Sequence, residues 1–276
     1  MGERADILGV LIDKVQLSQI ESIIANFVSR AEPHQVVTVN LDFISRALRD
    51  PSFRDLINTS SLVVPDGIPV LWAAKLLGDP LPQRITGLDL LHACCRLAQG
   101  TPEGIFLLGA EPGVALRASR ALCGWYPELP IAGTYSPPFG EFSVEENSLI
   151  VDLIVSSGAQ YLFVAFGCPK QDFWIREHLV ELGVPVCVGI GGVFNYVTGR
   201  VKRAPRCVQN LGLEWLVRMM QQPRLAKRYL INDLPVLTRV ISHKLLSAHG
   251  VNNAGQQSAG QLFTRSGGLR RMTPRE

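Results

Sequence analysis

The chain has 276 residues, of which 47% are apolar, and a formal net charge of +3. This length allows one large domain or two small ones, and this apolar fraction is typical of a globular protein. No run of about eighteen apolar residues occurs, so we predict no membrane-spanning helix.

The first residues, Met-Gly-Glu-Arg-Ala-Asp, do not have the pattern of a signal peptide. The six cysteines form no C-x-x-C pair, and the five histidines show no metal-ligand spacing. We therefore expect a cytosolic chain with reduced thiols, most of them in the core, and no bound metal.

The small net charge conceals an uneven distribution along the chain. Residues 1–199 hold 13 Lys+Arg and 21 Asp+Glu, whereas residues 200–244 hold 10 and 2. A basic segment after an acidic core predicts an anionic partner, which charge alone leaves open as lipid head groups, phosphates or nucleic acid. A solvated basic helix face explains the same charge pattern equally well.

Short apolar runs alternate with helical patterns through residues 1–199. The predicted strands are Ile7–Ile12, Gln35–Asn40, Leu62–Val64, Gly104–Leu108, Ile131–Thr134, Tyr161–Phe166 and Val184–Val188. The predicted helices are Ser18–Val28, Leu41–Leu48, Ile68–Leu77, Leu88–Gln99, a segment ending near Leu122, Glu145–Ser156 and a segment after Gln171. This order predicts a three-layer, Rossmann-like α/β core with a mostly parallel, right-handed sheet.

Beyond Gly199 the chain becomes basic and helical. Residues Val208 to Met220 form an amphipathic pattern that Pro223 ends, and a second helix is predicted from 224 to 246, interrupted near Pro235. The end is rich in Gly, Ser, Asn and Gln, which predicts disorder. We therefore divide the chain into a core (1–199), a C-terminal appendage (200–248) and a tail (249–276).

The segment Ser61 to Gly67 is the most informative of the core. A buried apolar strand stops at Pro65, and Asp66 follows it directly. In open parallel α/β sheets, ligands bind outside the carboxyl ends of the strands, so Asp66 is a candidate site residue. The alternative is that Asp66 only caps the helix that follows.

Two other predicted strands end in polar residues, Thr38 and Asn40 after one and Lys170 and Gln171 after the other. Their common position at strand ends favours one shared site. Each also has a structural explanation: Thr38 as a strand residue, Asn40 as a turn former and Gln171 as a surface residue at a helix start.

The run Gly189-Ile-Gly-Gly192 allows a phosphate or sugar to approach the backbone closely, or the next helix to pack closely. The sequence contains neither a D-x-D pair nor a Walker Gly-Lys-Ser/Thr motif, which argues against metal-clamped sugar transfer and P-loop phosphotransfer. A departing diphosphate would then need basic side chains and helix N-termini. Arg218, Arg224 and Arg228 supply such charges.

Several short motifs occur in a fixed order along residues 6 to 230. They are Thr38-Val-Asn40, Pro65-Asp-Gly67, Arg84-Ile-Thr-Gly-Leu-Asp-Leu90, Phe106-Leu-Leu-Gly109, Gly167-Cys-Pro-Lys-Gln171, Gly191-Gly-Val-Phe194, Gly199-Arg-Val-Lys-Arg-Ala-Pro205, Leu213-Glu-Trp-Leu216, Arg218 and Pro223-Arg224. Each motif is modest, but the ordered set is specific. The chain resembles the WecG/TagA/CpsF family of bacterial glycosyltransferases.

This resemblance implies an inverting, metal-independent transferase that needs no cofactor. The expected donor is a UDP-sugar that carries N-acetylmannosamine, its uronic acid or glucuronic acid. The expected acceptor is a sugar linked through a diphosphate to a polyprenyl lipid, in the synthesis of bacterial surface polysaccharides such as teichoic acid linkage units, capsule and exopolysaccharide. The chain would be cytoplasmic and peripheral at the anionic inner face of the membrane, without a nucleic-acid partner. Its oligomeric state is left open between a monomer and a homo-oligomer.

The resemblance also implies residue roles. Asp66 matches the proposed general base, and the residues that match the substrate pocket are Thr38, Asn40 and Gln171. We add Arg84, Gly191 and Gly192 from the matching motifs as candidate substrate-binding residues, together with Asn195, which directly follows the motif that ends at Phe194. Arg218 and Arg228 match arginines proposed to bind the nucleotide diphosphate. The chain departs from the pattern at Leu225, where the family often has Arg, and at Asp172, where it often has Glu; Arg224 is the nearest substitute for the missing Arg.

A second hypothesis is a non-catalytic protein on the same fold that binds a UDP-sugar or a lipid phosphate, since a fold does not fix a function. The presence of Asp66, Asn40 and Gln171 together favours the enzyme.

Overall fold

The computed structural model describes residues 2–30, 32–102, 104–205, 208, 213–222 and 225–245. The strands are β1 (Arg4–Ile7), β2 (Val10–Asp13), β3 (His34–Val39), β4 (Leu62–Pro65), β5 (Ile105–Gly109), β6 (Ile131–Tyr135), β7 (Tyr161–Ala165) and β8 (Val186–Gly189). The helices are α1 (Leu17–Arg30), α2 (Leu41–Ala47), α3 (Pro51–Thr59), α4 (Ile68–Leu77), α5 (Gly87–Ala98), α6 (Val114–Trp125), α7 (Val144–Ser156), α8 (Lys170–Leu182), α9 (Val193–Val197), α10 (Glu214–Gln221) and α11 (Leu225–Arg228). One π-helical turn (Tyr229–Asp233) then leads into helix α12 (residues 234–245).

Strands β3 to β8 form one six-stranded sheet in the order β4-β3-β8-β7-β5-β6, and every neighbouring pair is parallel. Successive side chains of a strand point to opposite faces. Val36 belongs to the core cluster that also holds residues of α1, α5, α6 and α9, whereas Val37 belongs to the cluster that holds residues of α2, α3 and α4. Because apolar side chains project from both faces of the sheet, helices must cover both faces. The predicted three-layer α/β fold is therefore confirmed.

The first predicted strand, Ile7–Ile12, is wrong in one respect. The segment is a separate antiparallel hairpin of β1 and β2, and the chain reverses at Leu8 and Gly9. Both residues have positive φ (56° and 88°), as a two-residue hairpin turn requires, and the Gly9 N–H donates to Asp6 Oδ1 at 2.6 Å.

Helix α3 was not predicted. Asp50-Pro51 was interpreted as the end of the preceding helix, but it begins a new one. Asp50 Oδ1 accepts the N–H groups of Ser52 and Phe53, and Pro51 occupies the first turn, where its missing N–H leaves no bond unmade.

The second appendage helix is irregular near Pro235, as predicted: the π-helical turn (Tyr229–Asp233) comes just before Pro235, which lies in the first turn of α12. Val236 and Val240 of α12 are fully buried in the cluster that also holds Phe43 of α2. Residues 209–212 of the helix predicted from Val208 to Met220 lie outside the described residues. The predicted tail, residues 249–276, also lies outside them.

The appendage is also joined to the core by polar contacts from its π-helical turn. Asn232 Nδ2 donates to Asp42 Oδ1 at 2.6 Å, and Arg49 Nη2 donates to Asn232 Oδ1 at 2.8 Å. Together with the buried valines of α12, these bonds fix the appendage against α2. Within the described ranges, no helix has both the length and the apolar character needed to cross a membrane.

Candidate active site

A pocket of about 550 Å³ lies at the carboxyl ends of three neighbouring strands, β4, β3 and β8. The residues after these strands, Asp66, Asn40 and Ile190, contribute to its wall. The appendage contributes to the same wall, with Trp215 from α10 and Asp233 from the π-helical turn. Parallel strands bring their carboxyl ends to one edge, which is where α/β folds bind ligands.

Asp66 is held at the end of β4 by its backbone. Its N–H donates to the carbonyl oxygen of Val39 at 2.7 Å, which continues the pairing of β4 with β3 by one residue. The N-cap of α4 is Gly67, at φ +144°, and no side chain caps this helix. The alternative in which Asp66 caps the helix is therefore wrong, and its carboxyl group lies in the pocket wall instead.

The surroundings of Asp66 favour its protonated form more than water does. Burial is the largest cause and raises the pKa of the carboxyl from 3.8 to about 6. The positive charges of Arg84 and Arg218 oppose this rise, and the negative charges of Glu214 and Asp89 reinforce it. Asp66 is nevertheless partly exposed, and it lines the pocket. A carboxylate with a pKa near the working pH suits a general base.

Arg84 enters the pocket from the loop between α4 and α5. The backbone of this loop is tied to the end of β4, because the Ile85 N–H donates to the Pro65 carbonyl oxygen at 2.9 Å. Arg84 Nη1 forms an ion pair with Glu214 Oε2 of α10 at 2.6 Å, and Glu214 Oε1 lies 3.8 Å from Arg203 Nε. All three charged side chains line the pocket.

Arg218 is one turn further along α10 and also lines the pocket. Its guanidinium carbon lies 5.5 Å from the ring centroid of Tyr196, within the range of a cation–π contact. A Cβ added at Gly192 would lie only 3.2 Å from Arg218 Nη2, so glycine leaves room for the guanidinium group there. Arg218 and Gly192 thus meet across the pocket wall, one from the appendage and one from the core.

Not every predicted site residue lines the pocket. Thr38 is buried within β3, and its hydroxyl donates to the Gly189 carbonyl oxygen at 3.4 Å. Gln171 is also buried, which contradicts its interpretation as a surface residue, and its Oε1 accepts the N–H groups of Gly167 (3.2 Å) and Gly191 (2.9 Å). Gln171 therefore joins the turns that follow β7 and β8.

The remaining predicted residues divide between the pocket, its support and the part of the chain that is not described. Asn40 lines the pocket and also caps α2, because its Oδ1 accepts the Phe43 N–H at 3.3 Å. Asn195 lies within α9, the helix that follows the glycine turn, and is not among the residues that line the pocket. Arg224 and the side chain of Arg228 lie outside the described residues.

Within the described part of the chain, no group of three or more His, Cys, Asp or Glu side chains is placed to hold a metal ion. The charged side chains that line the pocket are arginines and carboxylates, namely Asp66, Arg84, Arg203, Glu214, Arg218 and Asp233. Buried cysteines lie elsewhere, and burial raises the pKa of the Cys95 thiol to about 12.

Residues 5–250 match the family model described as the Glycosyl transferase WecG/TagA/CpsF family. The chain belongs to this family. One relative of this WecG/TagA/CpsF chain is the N-acetylglucosaminyldiphosphoundecaprenol N-acetyl-beta-D-mannosaminyltransferase of Bacillus spizizenii, which is 31% identical over 242 residues, covering 84% of this chain and 91% of the relative. A protein of the same name from Staphylococcus aureus is 32% identical over 219 residues, covering 79% of this chain and 84% of the relative.

Several pocket residues of this WecG/TagA/CpsF member were not among the predicted site residues. They are Trp72, Tyr196, Arg203, Glu214, Trp215 and Asp233. Arg203, Glu214 and Trp215 stand within the motifs that carry the family resemblance, which was a usable signal. Trp72 and Asp233 carry no local signal, because only the packing of α4 and of the appendage brings them to the pocket.

Proposed function

We propose that this chain is an inverting, metal-independent glycosyltransferase. It moves a sugar of the N-acetylmannosamine type, its uronic acid or glucuronic acid, from a UDP-sugar to a sugar carried on a polyprenyl diphosphate. The proposal is supported by the two relatives, whose names give an N-acetylmannosaminyl transfer to a lipid diphosphate sugar, and by their coverage of most of this chain. The observation that carries it is Asp66 at the carboxyl end of β4, facing a pocket lined by arginines.

In this reaction Asp66 is the general base. Its carboxylate takes the proton of the acceptor hydroxyl while the hydroxyl oxygen attacks the anomeric carbon of the donor sugar. The bond between that carbon and the UDP oxygen breaks, and UDP leaves with the electron pair. Attack from the face opposite to UDP inverts the anomeric centre.

The departing diphosphate needs positive charge that is already in place. Arg218 supplies it from α10, within the same pocket as Asp66. Arg224 and Arg228 are proposed to add to it from the segment that follows. Guanidinium groups suit this role because they bind phosphate oxygens in a bidentate manner.

The other predicted residues position the substrates. Asn40, Arg84 and Gly192 line the pocket and are proposed to contact the sugars or phosphates directly. Thr38, Gln171, Gly191 and Asn195 are proposed to act by fixing the turns after β3, β7 and β8. The hydrogen bonds of Gln171 to Gly167 and Gly191 support this assignment.

We propose further that residues 1–199 form the catalytic core and that the appendage (200–248) places the site at the anionic inner face of the membrane. The appendage carries most of the basic excess of the chain, and it presents exposed apolar side chains such as Met220 and Ile231. Cationic and apolar side chains together are typical of surfaces that bind anionic bilayers.

The test is transfer from a panel of UDP-sugars to synthetic polyprenyl-diphosphate sugars, measured by UDP release and by mass of the lipid product. We expect one donor to react in the presence of EDTA, with product of inverted anomeric configuration by NMR. A chain that binds UDP-sugars but transfers none of them would refute the enzyme and favour the non-catalytic binding protein. A strict need for Mg²⁺ or Mn²⁺ would refute metal independence alone.

A further inference from the structure

Two arginines of the pocket, Arg84 and Arg203, lie next to the same carboxylate, that of Glu214. Arg84 Nη1 lies 2.6 Å from Glu214 Oε2, and Arg203 Nε lies 3.8 Å from Glu214 Oε1. The two oxygens of the carboxylate thus face different guanidinium groups. The three side chains are 16 to 31% exposed, so water reaches them only in part.

This arrangement has the form of an anion site that is already filled. One carboxylate carries a single charge and two oxygens, whereas a diphosphate carries more charge and more acceptor oxygens, and both arginines can donate to it in a fork. Glu214 also lies in the first turn of α10, where the helix dipole favours a negative group. A second anion that enters the pocket competes with Glu214 for the same donors.

We propose that Arg84 and Arg203 form a diphosphate subsite, which the Glu214 carboxylate fills until the diphosphate of a substrate displaces it. The inference rests on the proposed function, because that function brings two diphosphates, one on the nucleotide and one on the lipid, to this pocket. The shared chemistry is the diphosphate group itself. Glu214 then keeps the guanidinium groups oriented while the subsite is empty.

A purely structural role for Glu214 predicts the opposite result on mutation. If Glu214 only bridges the core and the appendage, Glu214→Gln loosens the pocket and weakens anion binding. If Glu214 occupies the subsite, Glu214→Gln removes the competitor and strengthens anion binding. The sign of one measurement therefore separates the two roles.

The experiment measures the binding of inorganic pyrophosphate to the full chain by titration calorimetry, without divalent metal. We expect Glu214→Gln to bind pyrophosphate roughly tenfold more tightly than the wild type, and Arg203→Gln to bind it roughly tenfold more weakly, as for charge-assisted hydrogen bonds. Arg200 and Glu111 offer matched controls, because they form a 2.6 Å ion pair that does not line the pocket. Arg200→Gln and Glu111→Gln change the net charge equally and are expected to change the affinity by less than about twofold.

Weaker or unchanged binding by Glu214→Gln overturns the proposal, and so does unchanged binding by Arg203→Gln. Should Glu214→Gln not fold, Glu214→Asp replaces it, because its shorter side chain withdraws the carboxylate from the guanidinium groups and is expected to tighten binding as well. Equal effects of the pocket variants and their matched controls also overturn the proposal, since they would show a response to net charge alone.

Steady-state rates then identify the source of the diphosphate. A raised KM of Arg203→Gln for the lipid-linked acceptor assigns the subsite to the acceptor, and a raised KM for the UDP-sugar assigns it to the donor. If both KM values stay at the wild-type level, the subsite is refuted. If no donor and acceptor react at all while the pyrophosphate results hold, the proposed function fails and the subsite stands.

Discussion

The ionisation of Asp66 gives the sharpest prediction about the mechanism. Burial raises the pKa of this carboxyl to about 6, and only the ionised form can accept the proton of the acceptor hydroxyl. The value of kcat/KM is therefore expected to fall about tenfold for each pH unit below about 6, with roughly one molecule in ten active at pH 5. Above pH 7 this group no longer limits the rate.

The neighbours of Asp66 fix the direction in which the pH profile moves. Arg84 is the leading opposing charge and lowers the pKa of Asp66, so Arg84→Gln is expected to move the acid limb to higher pH. Glu214 raises that pKa, so Glu214→Gln is expected to move the limb to lower pH. Arg200→Gln is the matched control, because Arg200 pairs with Glu111 outside the pocket and should leave the limb in place.

The assay is the initial rate of UDP release from pH 4.5 to 8.5 at constant ionic strength, with circular dichroism at each pH to show that the fold persists. Asp66→Asn is expected to lower kcat by roughly 10²- to 10⁴-fold and to keep UDP binding, since the amide cannot take the proton. An Asp66→Asn variant of near-normal activity refutes the role of the base. An acid limb that stays in place in Arg84→Gln refutes the electrostatic argument.

Three further predictions concern stability, support of the site and the membrane. Burial raises the pKa of Asp172 to about 8, so between about pH 4 and pH 8 the folded state keeps a proton that the unfolded state releases, and the free energy of unfolding falls as pH rises through this window. In urea unfolding, the stability of Asp172→Asn relative to the wild type should therefore be greater at pH 8 than at pH 5, by up to several kcal/mol, and a change of the opposite sign would contradict this account. Gln171→Ala should lower kcat because the turns after β7 and β8 lose their shared acceptor, and unchanged kinetics with unchanged UDP affinity would show that these turns need no such link. Replacing the exposed Arg239 and Lys244 of α12 by Gln should weaken binding to anionic vesicles, measured by co-sedimentation, by about 1 kcal/mol for each charge and in a salt-dependent manner. Equal weakening by the control substitutions Arg117→Gln and Arg120→Gln in α6 would refute a specific membrane-binding face.

The position of Asp66 could be predicted from local sequence. Pro65 cannot donate to a strand ladder, so β4 had to end there, and the next residue had to lie at the carboxyl edge of a parallel sheet. The start of α3 could also have been predicted from local sequence, since an Asp followed by Pro is typical of a helix N-terminus. It was missed because the same pair can also follow the end of a preceding helix. The hairpin turn at Leu8 and Gly9 was missed because Leu-Gly is not a usual pair for two positive φ angles.

Sequence alone determined the α/β class, the strand end that carries Asp66 and the ordered motifs of the family, because periodicity and turn chemistry act over a few residues. Only the tertiary structure decided which polar residues face the pocket. Gln171 is buried and accepts backbone N–H groups from two turns, and Arg84 pairs with Glu214, which lies 130 positions away along the chain. Such contacts depend on the strand order and on the packing of α12 against α2, and neither leaves a periodic trace in the sequence.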